Sequence, residues 1–225
     1  MCGRFDRHTP IPWVAGAYFG ITEPVESGSA RYNIAPGTSI STVRQEDEDV
    51  EFPLMQWGFR PSWAGDEAPR PINARAERVA TSRFFSHAFQ HKRCLIPADG
   101  WFEWLTTAHG KQPYYITDPS QRDQDVLFFA GIYSGNAVAG LSVAILTEPA
   151  APNLRPIHNR QPVVLDPASR YDWLDPGIVE RTEIKRVTRR LDPERLDSWP
   201  VTPRMNRPDY EDPAIIEPVD GKLDA

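Results

Sequence analysis

The chain is poor in cysteine and lysine and has no long apolar run, and each shortage excludes a class of protein. Two cysteines in 225 residues, Cys2 and Cys94, are too few for a disulfide framework and fit a reducing compartment. The cysteines and the five scattered histidines lack the short paired spacings of zinc sites, so neither a metal nor an organic cofactor is expected. No apolar stretch approaches the ~18–20 residues of a membrane-crossing helix. Arg4, Asp6 and Arg7 stand where a secretion signal needs its apolar core. The expectation is a cytoplasmic protein with no membrane partner. There is no internal repeat and no low-complexity tract, and the 23 prolines are spread along the chain instead of marking a linker. One substantial core suits this length.

Lysine is scarce because the basic residues are arginines: only Lys92, Lys111, Lys185 and Lys222 are lysine, against 21 arginines. Arginine suits bidentate phosphate contacts and stacking on planar groups, although a coding bias gives the same composition. A net charge of −6 argues against a nucleic-acid partner until its distribution is read. Residues 209–225 hold six acids against one base, and Glu46, Asp47, Glu48, Asp49 and Glu51 form a second acidic run. The remainder carries about +4.

The apolar pattern predicts a short helix from Pro12 to Gly20 and a strand from Thr38 to Arg44. A hairpin turn at 46–51 leads into a strand through Phe59, and helix is predicted in one or two pieces from Asn73 to Phe89. Strands follow at 94–97, 114–117, 126–133, 141–147, 162–165 and 199–202, with surface helices at 169–174 and within 178–190. Strands and helices do not alternate regularly. The fold class is therefore α+β, mainly antiparallel, with a barrel-like or bifurcated β-sheet and peripheral helices. One domain is expected over 1–206, followed by an acidic C-terminal tail, 207–225, that is loosely held.

The first five residues, Met1-Cys2-Gly3-Arg4-Phe5, carry the sharpest chemical signal. Once Met1 is removed, Cys2 bears a free α-amine and a thiol on adjacent carbons. The amine forms a Schiff base with an aldehyde, and the thiol closes onto the imine carbon as a five-membered thiazolidine. The amine titrates near roughly 8 and the thiol near about 8.5, so both are partly reactive at neutrality. The bland alternative is a frayed terminus.

Further stretches accompany it: Tyr32-Asn33-Ile34-Ala35-Pro36, Trp57-Gly58-Phe59 with Pro61-Ser62-Trp63, Asn73-Ala74-Arg75-Ala76-Glu77, Cys94-Leu95-Ile96-Pro97, Gly100-Trp101-Phe102-Glu103-Trp104 and His158-Asn159-Arg160-Gln161-Pro162. In this order and spacing, over roughly residues 1 to 206, they closely resemble the SRAP family, the SOS response-associated peptidases. The histidine motif departs from the commoner Asp-Arg-Met-Pro ending but keeps the histidine and the arginine. The resemblance implies a sensor of abasic sites in single-stranded DNA that captures the lesion through Cys2. The family's name refers to proposed self-removal of the segment before Cys2. The protein would be a monomer, and nucleoid-associated if bacterial.

Within that reading Cys2, Asn73, Glu103 and His158 are the catalytic candidates. Glu103 is a proton shuttle whose aromatic neighbours raise its pKa, against the alternative of an exposed carboxylate beside core tryptophans. His158 holds or protonates the O4′ side of the sugar, although a lone loop histidine is often incidental. Asn73 positions the sugar or Cys2, or caps a helix. Arg4 and Arg75 are the expected phosphate ligands, with Arg160 and Arg60 behind them. Trp63 stacks on a base or packs in the core. Asn33 joins the DNA-binding set through its motif, and Cys94 reads as a buried small hydrophobe. Two rivals remain open: an N-terminal-nucleophile amidohydrolase or peptidase, and a non-catalytic single-strand-binding module.

Overall fold

Apolar runs on either side of Gly100 and Gly131 build two sheets packed face to face. The computed structural model describes residues 2–25, 28–65, 67–108, 110–120, 125–136 and 140–219. The first half of the chain contains β1 (Phe5–Arg7), α1 (Ile11–Phe19), β2 (Arg31–Ile34), β3 (Ser39–Ser41), β4 (Arg44–Glu46), β5 (Asp49–Glu51), β6 (Leu54–Trp57), β7 (Asn73–Arg75), α2 (Ala76–Val79) and α3 (Ser86–His91). The second half contains β8 (Arg93–Ala98), β9 (Gly100–Thr107), β10 (Gly110–Thr117), β11 (Leu127–Asn136), β12 (Gly140–Pro149), β13 (Arg160–Pro162), β14 (Val164–Leu165), α4 (Arg170–Leu174), α5 (Arg181–Val187) and β15 (Asp197–Pro200). No described helix is long and apolar enough to cross a membrane.

One sheet runs β15-β10-β9-β1-β2 and the other β14-β11-β12-β6-β3, with β8 on β11 and both β7 and β13 on β12. The α+β class with mainly antiparallel pairing is what forms; only β6 and β7 run parallel to their neighbour β12. Among the described residues the sheets stay open, and no barrel closes. Between them Phe5 meets Trp57 edge-on at 5.2 Å and Phe129 at 6.0 Å, while Trp101 meets Phe129 at 5.8 Å. These rings are at most 1% exposed. Such edge-to-face pairs add about 0.5–1.5 kcal/mol each beyond their burial. A second apolar cluster lies outside the larger sheet, where Trp173 of α4 and Phe89 of α3 cover Leu95, Phe128 and Ala130.

Two sequence expectations change. The stretch from Asn73 begins as strand β7, because Ile145 N–H donates to Ile72 O at 3.0 Å and Asn73, Ala74 and Arg75 pair with Ile145, Leu146 and Thr147. Tertiary pairing outweighs the helical composition of the segment, and helix starts only at Ala76. Asn73 is therefore a strand residue and not a helix cap. The loosely held tail is corrected as well, as far as Val219. Glu211 accepts from Arg31 Nε at 2.8 Å and from the backbone N–H groups of Tyr32 and Asn33. Ile215 is fully buried, and Val219 N–H reaches Pro200 O at 2.9 Å.

Gly100 begins β9 because nothing larger fits. A Cβ placed there stands 2.4 Å from the ring of Tyr115 on the neighbouring strand β10. Gly100→Ala should cost about 1–3 kcal/mol through displacement of that ring. Gly65→Ala, where nothing lies within 4 Å, should be near neutral. Denaturant melts of the two variants check this, and equal stability of both would remove the close approach as a constraint.

Candidate active site

The antiparallel pairing of β1 with β9 sets Phe5 opposite Trp101, and Phe102 N–H donates to Arg4 O at 2.9 Å. The chain entering β1 therefore runs beside the stretch of β9 that carries Glu103. Cys2 is fully buried, as is the flanking Trp101. The Cys2 thiol accepts from the backbone N–H of Arg4 and lies within reach of Glu103's charge. Burial first, and Glu103 second, push the thiol's pKa far above its ordinary value, so it sits here as a protonated thiol. Glu103 is 2% exposed, and desolvation raises its pKa to about 7. At neutral pH it exchanges protons readily in both directions, which is the property a general acid–base needs.

The other half of the site comes from β12. One edge of that strand takes β11 and then β13; the other takes β6 and then β7. Thr147 is thus flanked by Arg75 on one side and Pro162 on the other. Asn73, opposite Ile145, donates through Nδ2 to Cys2 O at 2.8 Å. Its Oδ1 is buried with no hydrogen-bond partner among the described residues, leaving one acceptor ready for an incoming donor. His158 Nδ1 stands 3.8 Å from Glu103 Oε2 and accepts from Arg160 N–H at 3.0 Å. Nδ1 also lies 3.1 Å from Arg160 O, so the backbone of Arg160 meets this nitrogen in either tautomer of the ring. Burial, together with the nearby cations Lys111 and Arg160, lowers the pKa of His158 and keeps it neutral at pH 7.

All four catalytic candidates therefore converge from separate stretches. The DNA-binding candidates divide. Arg75 is exposed and makes no ion pair among the described residues, and Trp63 is 70% exposed at its loop tip with an edge contact to Phe84. Trp63 is thus not a core tryptophan. Arg160 is anchored to Thr147 O, to Thr147 Oγ1 and to Glu77. Arg4 is 9% exposed and donates to Asn33 Oδ1 at 2.6 Å and Met205 O at 3.0 Å, while its Nε is buried without a partner. Asn33 is fully buried, with Nδ2 donating to the carbonyls of Met205, Arg207 and Tyr210. That places it beneath Arg4 and off the surface. Cys94 is fully buried, and burial holds its thiol protonated.

Sequence reasoning missed Thr147 and Glu77, the partners that aim Arg160. It also missed Asp6, His8 and Asp99, which lie together beyond the site. The Asp-x-His spacing was the available signal, since residues two apart in extended chain share a face. Asp99 Oδ2 accepts from the N–H groups of His8 and Thr9, Asp99 Oδ1 accepts from Thr9 Oγ1, and Asp6 Oδ2 bonds His8 Nδ1 at 2.7 Å. These atoms are engaged in holding a corner of the chain.

The family model for SOS response associated peptidase (SRAP) matches residues 1–208. The chain is 34% identical to the abasic site processing protein YedK of Escherichia coli K12, over 97% of this chain and 100% of that one. It is 30% identical to the abasic site processing protein YMR114C of Saccharomyces cerevisiae, over 84% of this chain and 53% of that protein. Among solved structures, a Bacteroides thetaiotaomicron protein shares the fold at a TM-score of 0.80 and 22% identity, covering 97% of this chain and 100% of that one. A phage-related protein of Bordetella bronchiseptica is similar at a TM-score of 0.74 and 27% identity, over 89% of this chain and 94% of that one.

The raised pKa of Glu103 has a signed consequence for stability. Below about 4.5 the folded and unfolded chains both hold the proton; between about 4.5 and about 7 only the unfolded chain ionises. Wild type should therefore lose stability as pH rises through that window, by on the order of 3 kcal/mol relative to Glu103→Gln. Guanidinium melts of both proteins at pH 4.5 and pH 8 read the difference. The same gap at both pH values would mean that Glu103 titrates as an ordinary carboxylate.

Proposed function

The chain belongs to the SOS response associated peptidase family, and from that premise we propose that it processes abasic sites in single-stranded DNA by capturing the lesion on Cys2. The observation that carries the proposal is the meeting of Cys2, Asn73, Glu103 and His158 in one buried corner. An abasic deoxyribose interconverts between a closed hemiacetal and an open aldehyde, and only the aldehyde reacts with an amine. Removal of Met1 supplies the amine. The α-amine of Cys2 adds to the aldehyde carbon to give a carbinolamine. Glu103, holding its proton near neutrality, passes it to the departing hydroxyl, and water leaves as the imine forms. The Cys2 thiol then adds to the imine carbon, its proton passing to the Glu103 carboxylate, and the thiazolidine closes.

Burial that keeps the thiol protonated favours this order: the amine acts first, and sulfur follows when a base is in place. Neutral His158, in the tautomer whose Nδ1 accepts from Arg160 N–H, donates from Nε2 toward the sugar's ring oxygen as the hemiacetal opens. Asn73 holds the Cys2 carbonyl and offers its spare Oδ1 to a sugar hydroxyl. The buried Nε of Arg4 lacks an acceptor, and a phosphate oxygen supplies one, with Asn33 holding the guanidinium in place. Arg75 and Arg160 extend the phosphate path, and Trp63 stacks on a neighbouring base for about 1–3 kcal/mol without sequence preference. The adduct shields the lesion from strand-cleaving nucleases. β-Elimination from the imine is the accompanying lyase reaction, and self-removal of the residue before Cys2 is the peptidase reaction.

Cys2→Ala keeps the α-amine and deletes the thiol. On abasic oligonucleotides it should give an adduct trapped by borohydride but lost on heating without it, whereas the wild-type crosslink should survive heating on a denaturing gel. An uncleavable extension before Cys2 should abolish both adducts, because the amine becomes an amide. A heat-stable, lesion-dependent crosslink from the extended protein would sink the aminothiol mechanism. Amide hydrolysis with no lesion-dependent band would favour the amidohydrolase.

A further inference from the structure

Of Arg4, Arg75 and Arg160 on the proposed phosphate path, Arg160 is the one whose guanidinium is closed by a carboxylate among the described residues. It is held in two halves. On the inner side Nη2 donates to Thr147 O at 2.6 Å and to Thr147 Oγ1 at 3.1 Å. On the outer side Nη1 and Nη2 donate to the two oxygens of Glu77, the second at 3.0 Å. A guanidinium offers this same fork to two oxygens of a phosphate. The halves differ in what can leave. Thr147 O belongs to the main chain of β12, where ladders to Arg75 and Pro162 fix it from both edges. Glu77 holds on by a side chain alone, in the first turn of the four-residue helix α2, and that side chain is 46% exposed against 12% for Arg160. A carboxylate so open to water can swing away at the cost of one weak ion pair.

Glu77 also lies two residues after Arg75, which pairs with Thr147 from the other edge of β12. The hydrogen bond from Arg160, with a smaller contribution from the charge of Arg75, holds the Glu77 carboxyl below its ordinary range, so it is ionised at neutral pH. A phosphate that approaches Arg160 therefore meets a like charge already seated on the fork. We propose that Glu77 is a resident competitor of the DNA backbone: it caps the outer half of the Arg160 fork in the free protein, and a phosphodiester displaces it while Thr147 keeps the inner half. Each strand bound has to break the Glu77 pair, which weakens the grip on intact DNA and leaves retention to the covalent capture of a lesion. This rests on the reading of the chain as a protein that holds single-stranded DNA through Arg160, and adds to it the residue that sets how tightly.

The test uses the whole chain and an intact single-stranded oligonucleotide, which no crosslink can enter. Glu77→Gln, Arg160→Ala and the double variant are compared with wild type across a salt titration. Glu77→Gln should bind about two- to five-fold tighter, the range expected when one exposed ion pair no longer has to be broken. That gain should vanish in the Arg160→Ala background. Arg160→Ala should lower the slope of log K against log salt by about 0.7, both alone and beside Glu77→Gln. A gain that survives without Arg160 is plain repulsion between Glu77 and DNA, and overturns the proposal. Weaker binding by Glu77→Gln overturns it too, because Glu77 is then a strut that Arg160 needs while it holds DNA. So does a slope indifferent to Arg160. If Arg160→Ala does not fold, wild type and Glu77→Gln carry the test on oligonucleotides with one phosphate at a time replaced by an uncharged methylphosphonate. One position should erase the gain, and the lack of any such position overturns the exchange. Wild-type binding tests the underlying reading separately: without it the DNA reading falls and the exchange with it, whereas binding with no Arg160-dependent gain removes the exchange alone.

Discussion

Everything at the site depends on the ladder between β1 and β9. It sets Phe5 against Trp101 and thereby seats the chain's beginning in the seam between the two sheets. A strand slipped by one residue turns every side chain to the opposite face, so the register is enforced by the cost of pulling Phe5 out of the aromatic seam and the buried Arg4 and Asp6 away from their hydrogen-bond partners. The same ladder seats Cys2 and Glu103 where burial raises the pKa of both. Both effects are desolvation, acting on groups that are neutral in opposite senses of use: a thiol that holds its proton and a carboxyl group that shares it.

A dry corner is expensive to maintain. Ionising Glu103 at 2% exposure is costly, and a desolvated carboxylate lowers the stability of the fold that contains it. The surrounding structure offsets this with features that do no chemistry. The edge-to-face rings of Phe5, Trp57, Trp101 and Phe129 fill the seam. Glu211 closes the free edge of β2 by accepting two backbone N–H groups there, and Asn33 ties three carbonyls of the C-terminal segment to Arg4. The segment after Pro203 is thus part of the wall behind the site, which explains why an acidic, proline-punctuated stretch is ordered: its acids meet backbone donors and arginine, and Ile215 is buried.

The strands were legible because their apolar runs bury both faces: the predicted ranges at 94–97, 114–117 and 141–147 fall inside β8, β10 and β12, and 126–133 begins one residue before β11. Helix α1 was legible from its apolar run ending at Gly20. The Asn73 stretch was misread, because small residues such as Ala74 and Ala76 suit a helix locally, and the parallel ladder to β12 that outweighs them is a contact across about 70 positions of sequence. In the site, the residues of the terminal, Asn-Ala-Arg and Glu-Trp motifs were legible as a set from their resemblance to a family. Their partners were not. Thr147 and Glu77 matter only because β13 brings Arg160 beside them, and nothing in local composition separates Thr147 from any other strand threonine.

β12 is the element that makes these separate motifs one device. Both its edges carry ladders between Ser142 and Thr147, so it cannot shift without breaking pairings on two sides. Asn73 holds the Cys2 carbonyl from one edge, while His158 approaches Glu103 beside β13 on the other. A strand locked on both edges gives the fixed spacing that proton transfer needs, because positioning within a fraction of an ångström is worth more to rate than any single contact is worth to stability. Exposed Trp63 and Arg75 stand outside that fixed frame, and on the proposed function they are the side chains that a DNA strand meets first.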